Sequence, residues 1–432
     1  QVVRCGGQAF SGISRKVLLN ILQRRCDELG VRLRFRREVS GATHFRGADV
    51  IVAADGLNSV IRTDHVRAFK PTLEVGTACY IWLGVQKWLD AFTFIIRESP
   101  HGLFQVHAYP FDGTTATFIV ECDEATWRRA GLHQGREAEH LAFCERLFAP
   151  ELGGRRLMSN NSRWINFVTL KNARWSHRNI VLLGDAAHTA HFSIGSGTKL
   201  AMEDSIALAS ALEQHRDVEA AFDDYEAERR PAVEAFQEAA AESRTYFENL
   251  RRYLHLEPPQ FAFNLLTRSG RISYDSLRLR DPLFVEGIDR WFAAASPDGA
   301  AAPHAAVAPP PLLVPLTLRA VRLHNRVALA CEPVEAAMDG VPADGHRHAL
   351  AARARGGTSL VITEPIAITS EGRITPGAAG MYADIHAVSW KEIVAAARAH
   401  PEVRFAAVLN HAGRRGATRP RAEGLDRPLA AG

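Results

Sequence analysis

The chain has 432 residues, 47% hydrophobic and 23% charged, the balance of an ordinary globular protein long enough for two or three domains. A formal net charge of +4 gives no ground for nucleic-acid binding, yet it would not repel an anionic ligand. Six cysteines without a C-x-x-C pair set aside a zinc site and a disulfide framework, as expected of reduced thiols in the cytoplasm, and no apolar run reaches the ~18 residues of a membrane span.

In chain order, residues 14–29 predict a helix, with Leu18, Leu22, Cys26 and Leu29 on one face and Ser14 as N-cap. "VRLRF" alternates as a short strand, and "ADVIVAADG" reads as an apolar strand ending in Asp55-Gly56. Between Thr77 and Cys122, "DAFTFIIRES", "GLFQVHAYPF" and "TTATFIVEC" alternate with turns between them, which predicts an antiparallel sheet with one covered face. The run "VLLGDAAHTAHFSIGSGTKLAMEDSIALASAL" is a buried strand, then Gly184-Asp185, a glycine-interrupted loop and an apolar-periodic helix. Long helices follow from Val218 to about Tyr253. "AAASPDGAAAPHAAVAPPP" (293–311) is too poor in large apolar residues to pack and reads as a linker between domains at 1–292 and 312–432. Beyond it, "LRAVRLHNRVALA", "GGTSLVITE" and "EVRFAAVLNHAGRR" alternate with helical material, as β/α units do. That stretch is about half of the ~250 residues of a complete β/α barrel.

Asp185 carries the first chemical signal. A carboxylate at the carboxyl end of an apolar strand sits where α/β sheets place ligands, and it can accept hydrogen bonds from ribityl or ribose hydroxyls. Gly195-Ser196-Gly197 would let backbone approach a flat ligand, and the following helix points its positive end at an isoalloxazine that gains negative charge on reduction. This is a flavin cradle. The competing reading makes Asp185 a helix cap, His188 a satisfied core histidine and Asp55-Gly56 a plain turn.

"VIVAADGLNSVIR" and "GDAAHTAHFSIGSGTKLAMEDSIAL" resemble the two later fingerprints of single-component FAD aromatic hydroxylases. "SGISRKVLLNILQRR" resembles the helix whose arginine, here Arg15, approaches FAD. The resemblance implies an α/β, p-hydroxybenzoate-hydroxylase-like FAD-binding fold with an antiparallel substrate sheet at about 72–170. It implies cofactor contacts at Arg15, Asp55, Gly56, Gly184, Asp185, Gly195, Ser196, Gly197, Thr198 and Lys199. Many members carry Pro-Pro after the histidine and an Asn in the helix, where this chain has His191-Phe192 and Lys199. With "SRWINF" and "LLTRSGRISYDSLRLRDP", that departure is similar to the branch acting on aromatic CoA thioesters, such as salicylyl-CoA 5-hydroxylase and 2-aminobenzoyl-CoA monooxygenase/reductase. A chain of this kind uses NAD(P)H and O₂ to hydroxylate the carbon para to an ortho donor.

On that resemblance His191 and Phe192 line the ring's site, Tyr109 helps to floor it, and His107 is either an acid/base for the donor group or a plain strand histidine. Trp164 and Phe167 stay open between core and ring stacking. The implied partners are an aromatic acyl-CoA, O₂ and a second copy in a homodimer, with neither nucleic acid nor membrane among them. "PLTLRAVRLHNRV", "EGRITPGAAGMY" and "LNHAGRRGATR" resemble the first strands of an Old Yellow Enzyme-like FMN barrel, which implies FMN in an incomplete β/α (TIM) barrel segment. Pro333, Glu335 and Val408 stand where that family has a Cys or Thr, a Tyr and a Gln, and Cys331 is out of register with the expected thiol. No G-x-G-x-x-G is found, since "RCGGQAF" lacks the spacing. The expectation is a chain lacking its first βαβ unit and ending within the barrel. Two alternatives stay open: 2-aminobenzoyl-CoA monooxygenase/reductase, and a truncated non-catalytic remnant that binds no flavin.

Overall fold

A computed structural model describes residues 11–195, 197–298 and 307–413. The "RCGGQAF" segment, Ser196, the middle of the linker at 299–306 and the end of "LNHAGRRGATR" lie outside the described residues. The chain divides into two compact units, Gln1–Arg280 and Asp281–Gly432.

The first unit opens with helix α1 (Arg15–Glu28), strand β1 (Ile51–Ala53) and the short helices α2 (Val60–Asp64) and α3 (Val66–Phe69). It continues through β2 (Pro71–Val85), β3 (Thr93–Ser99), β4 (Gly102–Pro110) and β5 (Ala116–Asp123). Helices α4 (Glu124–Arg129), α5 (Glu137–Leu147) and α6 (Ala149–Leu152) separate these from β6 (Leu157–Met158) and β7 (Ile165–Asn172). Then come β8 (Ser176–His177), β9 (Ile180–Leu182), α7 (Gly197–Gln214), α8 (Val218–Glu248), α9 (Pro258–Thr267) and α10 (Tyr274–Arg280).

Two sheets result. In the smaller one, β1 pairs in parallel with β9, Ile51 against Ile180 and Ala53 against Leu182, and β8 pairs antiparallel on the far side of β9. Helices α7 and α8 bury Leu200, Leu208, Phe222, Tyr225 and Val233 together with Val181 and Leu182. Each such side chain contributes about 1.5–3 kcal/mol. Helix α1 forms as expected but buries none of its residues, with Leu22 48% exposed. "VRLRF" is not a strand. A strand needs a hydrogen-bonded neighbour, and 31–35 finds no ladder among the described residues.

The larger sheet has the order β3-β4-β5-β2-β6, with β7 also on β2. Alternation along its strands decides what each face does. Phe104, Val106, Ala108, Phe118, Val120, Ile81 and Leu83 pack against Cys144 of α5 and against Phe148 and Leu152. The opposite face therefore carries Gln105, His107 and Tyr109 of β4, opposite Glu121, Ile119 and Thr117 of β5, with Tyr80 and Trp82 from β2 and Phe94 from β3. One face is core. The other carries chemistry.

The second unit begins with α11 (Pro282–Ala295) and the antiparallel pair β10 (Leu316–Leu318) and β11 (Val321–Leu323), joined at Arg319, which has φ +57°. Strands β12 (Ala328–Ala330), β13 (Leu360–Ala367) and β14 (Arg404–Asn410) follow in parallel, with α12 (Asp344–Arg355) and α13 (Asp384–Ala397) between them. The expected strand "LRAVRLHNRVALA" is thus three short strands. Pro333 and Glu335 follow β12, and Val408 lies on β14. The division at 280 departs from the expected end of the first domain at 292, because α11 is tied to the hairpin that follows it. Arg326 sits 4.9 Å over the Phe292 ring and 3.3 Å from Ser296 Oγ, and Asp298 accepts from the Thr317 N–H (2.6 Å) and hydroxyl (2.8 Å). Residues 293–295 accordingly finish α11 rather than begin a linker. Among the described residues no helix is long and apolar enough to cross a membrane.

Candidate functional site

Because β1 and β9 run parallel, Asp55 and Asp185 leave the small sheet at the same carboxyl edge. Asp185 is exposed between buried Gly184 and Ala186. Desolvation by this crowding raises its pKa, against the pull of the charges on His188 and Arg15, so the α1 arginine and the strand-end carboxylate share one neighbourhood. Gly184 has φ +59°, and a Cβ there would stand 3.0 Å from the Ala201 Cβ, so only glycine lets this loop lie against α7.

Two buried side chains lock the edge in place. Asp204 of α7, fully buried, accepts from the Gly184 N–H (3.3 Å) and Arg229 Nε (2.9 Å) and lies 2.8 Å from His188 Nε2. Arg62 donates to the Ala186 carbonyl (2.9 Å) and to those of Gly56 (3.5 Å) and Leu57, which ties the Asp55 loop to the Asp185 loop. Asp55 itself accepts from the N–H groups of Val60 (2.9 Å) and Ile61 (3.5 Å) and caps α2. His188 is the satisfied core histidine of the competing reading. Sequence reasoning passed over Arg62, Asp204 and Arg229, although Asp204 had a signal: a charge on the stripe Leu200, Ala207, Leu208 and Ala211 that α7 buries.

The same loop supplies the open ground. Gly195 has φ +62°, and a Cβ at Gly195 or Gly197 would meet nothing within 4 Å. Thr198 is exposed beside them, while Lys199 turns along α7 to Glu203 and lies 5.4 Å over the Phe236 ring. Open backbone at the start of an 18-residue helix, with an accessible carboxylate and an arginine close by, fits the ribityl and ring end of a flavin.

Continuing along that loop, His191 and Phe192 reach the chemical face of the larger sheet. Phe192 lies 4.7 Å from Tyr80, 5.8 Å from Trp82 and 5.6 Å from His107, centroid to centroid. His107 also meets Phe94 (5.2 Å) and Phe247 of α8 (4.5 Å). Phe167 packs on His191 at 4.9 Å, whereas Trp164 lies with the core of the opposite face, which separates the two aromatics the sequence left open. Tyr109 stacks on Phe92 at 5.3 Å. Burial pulls the His191 pKa down to about 4, with His107, Arg244 and Arg268 adding to that shift and Glu121 opposing it. Arg268 bonds Ser243 Oγ (2.9 Å) and the Ser193 carbonyl (2.7 Å), and Ser193 Oγ donates to Ser243 Oγ (2.8 Å). His107 Nε2 lies 3.2 Å from Glu121 Oε2, both side chains buried. The three residues expected to do chemistry, His107, His191 and Phe192, are therefore brought together.

Comparison with known proteins follows the same division. Residues 311–423 match the NADH:flavin oxidoreductase / NADH oxidase family. Salicyloyl-CoA 5-hydroxylase of a Streptomyces species is 44% identical over 300 residues, covering 67% of this chain and 58% of its own length. The 3-hydroxy-4-methyl-anthranilyl-[aryl-carrier protein] 5-monooxygenase of Streptosporangium sibiricum is 41% identical over 271 residues, 62% of this chain and 71% of that one. Protodeoxyviolaceinate monooxygenase of Chromobacterium violaceum is 34% identical over 259 residues, 59% and 69% of the two chains. The chain thus spans little more than half the length of the first of these relatives. Residues 14–240, more than half of the chain, match the FAD binding domain family, and the chain belongs to it.

Proposed function

We propose that this protein is an FAD-dependent monooxygenase that uses NAD(P)H and O₂ to hydroxylate the ring of an aromatic acyl thioester, at the carbon para to an ortho donor. One observation carries the reading: a single loop joins the carboxylate at Asp185 to the ring-lined sheet face at His191 and Phe192. Cofactor and ring would lie at its two ends.

Asp185 would accept hydrogen bonds from the ribityl chain, with Arg15 beside it, and Gly195, Gly197 and Thr198 would bring backbone against the ring. Gly184, Asp55 and Gly56 shape the loops that hold these groups, while Lys199 serves α7 through Glu203. FAD, when bound and reduced, supplies an electrophilic oxygen atom derived from O₂. Phe192, Tyr80, Trp82 and Phe247 hold a flat ring and keep water away from it. An electrophilic oxygen goes to the carbon of highest electron density, and on a 2-hydroxy- or 2-aminobenzoyl group that is C5, the position named in two of the relatives. The same reading ends the FAD-dependent part before the Ala/Pro-rich 293–311 segment and gives the following residues to an FMN-binding module.

The test is direct. The chain is loaded with FAD and supplied with NADH or NADPH, isotopically heavy O₂ and 2-hydroxybenzoyl-CoA, and the product is read by mass spectrometry. One heavy oxygen on C5 is the expected result. A chain that stays colourless with FAD and forms no product would instead be a protein that binds no flavin.

A further inference from the structure

Neighbouring residues of a strand point to opposite faces, so His107 looks to the chemical face while Ala108 belongs to the core face behind it. In the ladder Ala108 stands between Thr93 of β3 and Phe118 of β5. A single methyl group at that position leaves the core face short of filling, and a cavity of about 140 Å³ remains. Val85, Leu89, Ile95, Ala108, Phe118 and Leu152 line it with apolar surface. An apolar cavity of roughly 150 Å³ holds a benzene molecule, so there is room here for one six-membered ring. The thickness of the sheet separates this space from the rings around Phe192.

The polar groups beside the cavity indicate what such a ring should carry. Lys87 and Glu151 also line it. Arg97, two positions past Ile95 on the same face of β3, donates to Glu151 Oε1. Arg97 Nε is buried without a partner among the described residues, so the two side chains meet through a single contact. Glu151 Oε2 is left buried and unpartnered as well. Lys87 donates to the Glu151 carbonyl, and an ammonium has two further N–H groups to offer. A buried acceptor without a donor is costly, and a ligand that donates to it removes that cost.

We propose that this cavity is a binding site for a neutral single-ring phenol, whose hydroxyl donates to Glu151 Oε2 and accepts from Lys87 while its ring fills the space beside Ala108. A phenol ionises near pH ~10 and is uncharged at neutral pH. An aryl carboxylate would set its negative charge against the Glu151 oxygen, and an arylammonium would meet Lys87 and Arg97. A bare hydrocarbon would fill the space and leave the acceptor unpaired. The site is independent of the reaction proposed above, because no residue given there to the cofactor or to the ring lines this cavity.

The full chain is titrated with 4-fluorophenol, 4-fluorotoluene and 4-fluorobenzoate, and the fluorine resonance of each is followed by NMR. 4-Fluorophenol should bind saturably and roughly tenfold or more tightly than either of the others, the effect of a hydrogen bond to a charged acceptor. Ala108→Leu, which fills the space, should abolish that binding. Two variants at partly exposed positions test the polar end without disturbing the core. Glu151→Gln, whose amide oxygen can still accept from Arg97, turns an NH₂ group toward the ligand, and Lys87→Met removes the donor. Each should weaken 4-fluorophenol and leave 4-fluorotoluene unchanged. Absence of saturable 4-fluorophenol binding would overturn the proposal. Binding that survives Ala108→Leu in a folded chain, or equal affinity for 4-fluorotoluene, would overturn it too.

Discussion

Asp185 and His191 belong to one loop, yet the fold holds them in opposite ways. Asp185 keeps its carboxylate accessible at the end of a buried strand, where a ligand's hydroxyls can reach it. Asp185→Ala should weaken FAD binding by about 1.5–3 kcal/mol, the worth of hydrogen bonds to a charged acceptor. That is roughly 10- to 150-fold in Kd, measurable by flavin fluorescence titration, and an unchanged Kd would remove the residue from the cradle. His191 is buried and neutral, its pKa near 4 in the folded chain. As pH falls below the ordinary histidine value of about 6.5, the unfolded chain takes up the proton first. Stability is therefore lost between pH ~6.5 and ~4, by an amount of order 3 kcal/mol, and this residue has no effect above that window. His191→Asn should flatten the dependence, so urea midpoints of variant and native chain at pH 7 and 4.5 should differ less for the variant.

At the scale of elements, α7 is docked by a charge placed in its apolar stripe. Removing Asp204 leaves Arg229 Nε and the Gly184 N–H without their acceptor in a buried setting, with Glu203 the remaining partner of Arg229. Breaking such a pair from one side costs about 3–5 kcal/mol, so Asp204→Ala should lower the urea midpoint by a corresponding amount and loosen the Gly184 loop. Helix periodicity made α7 and α8 legible in the sequence, and alternation did the same for β3, β4 and β5. Alternation did not say which face of β4 would be core, because Gly102 to Ala108 are all buried and apolar residues appear on both sides. "VRLRF" shows the same limit from the other direction: its pattern is a strand's, and its neighbours supply no ladder.

At the scale of the molecule, both units leave large apolar side chains at their surface, Ile206 of α7 among them in the first. In the second, Leu409 of β14 and Ile385 and Val388 of α13 are largely exposed. Strand edges and helix faces left uncovered lower the cost of local opening. Limited proteolysis should cut first in the part of 293–311 that follows α11, whose Ala/Pro-rich composition carries few large apolar side chains, and then consume the C-terminal fragment. Mass spectrometry of the time course would show the first unit outlasting the second. A C-terminal fragment that survives longer would reverse that order.

The sequence by itself determined the local events: the helices, the alternating strands, the strand-end aspartates and the glycine-interrupted loop that follows Asp185. Each depends on a residue and its near neighbours, through the periods of helix and strand and the freedom of glycine. It also carried enough of two motifs to indicate the flavin family. Only the tertiary structure decided that β1 lies beside β9, that Arg62 ties their two loops, and that Asp204, Arg229 and His188 form one network. Only there do His107 and Glu121 meet His191 and Phe192, does Phe167 join the rings while Trp164 enters the core, and does α11 pass to the second unit. These contacts join residues far apart in the chain. Their free energy appears only once long loops have closed, and no local pattern records which loops those will be.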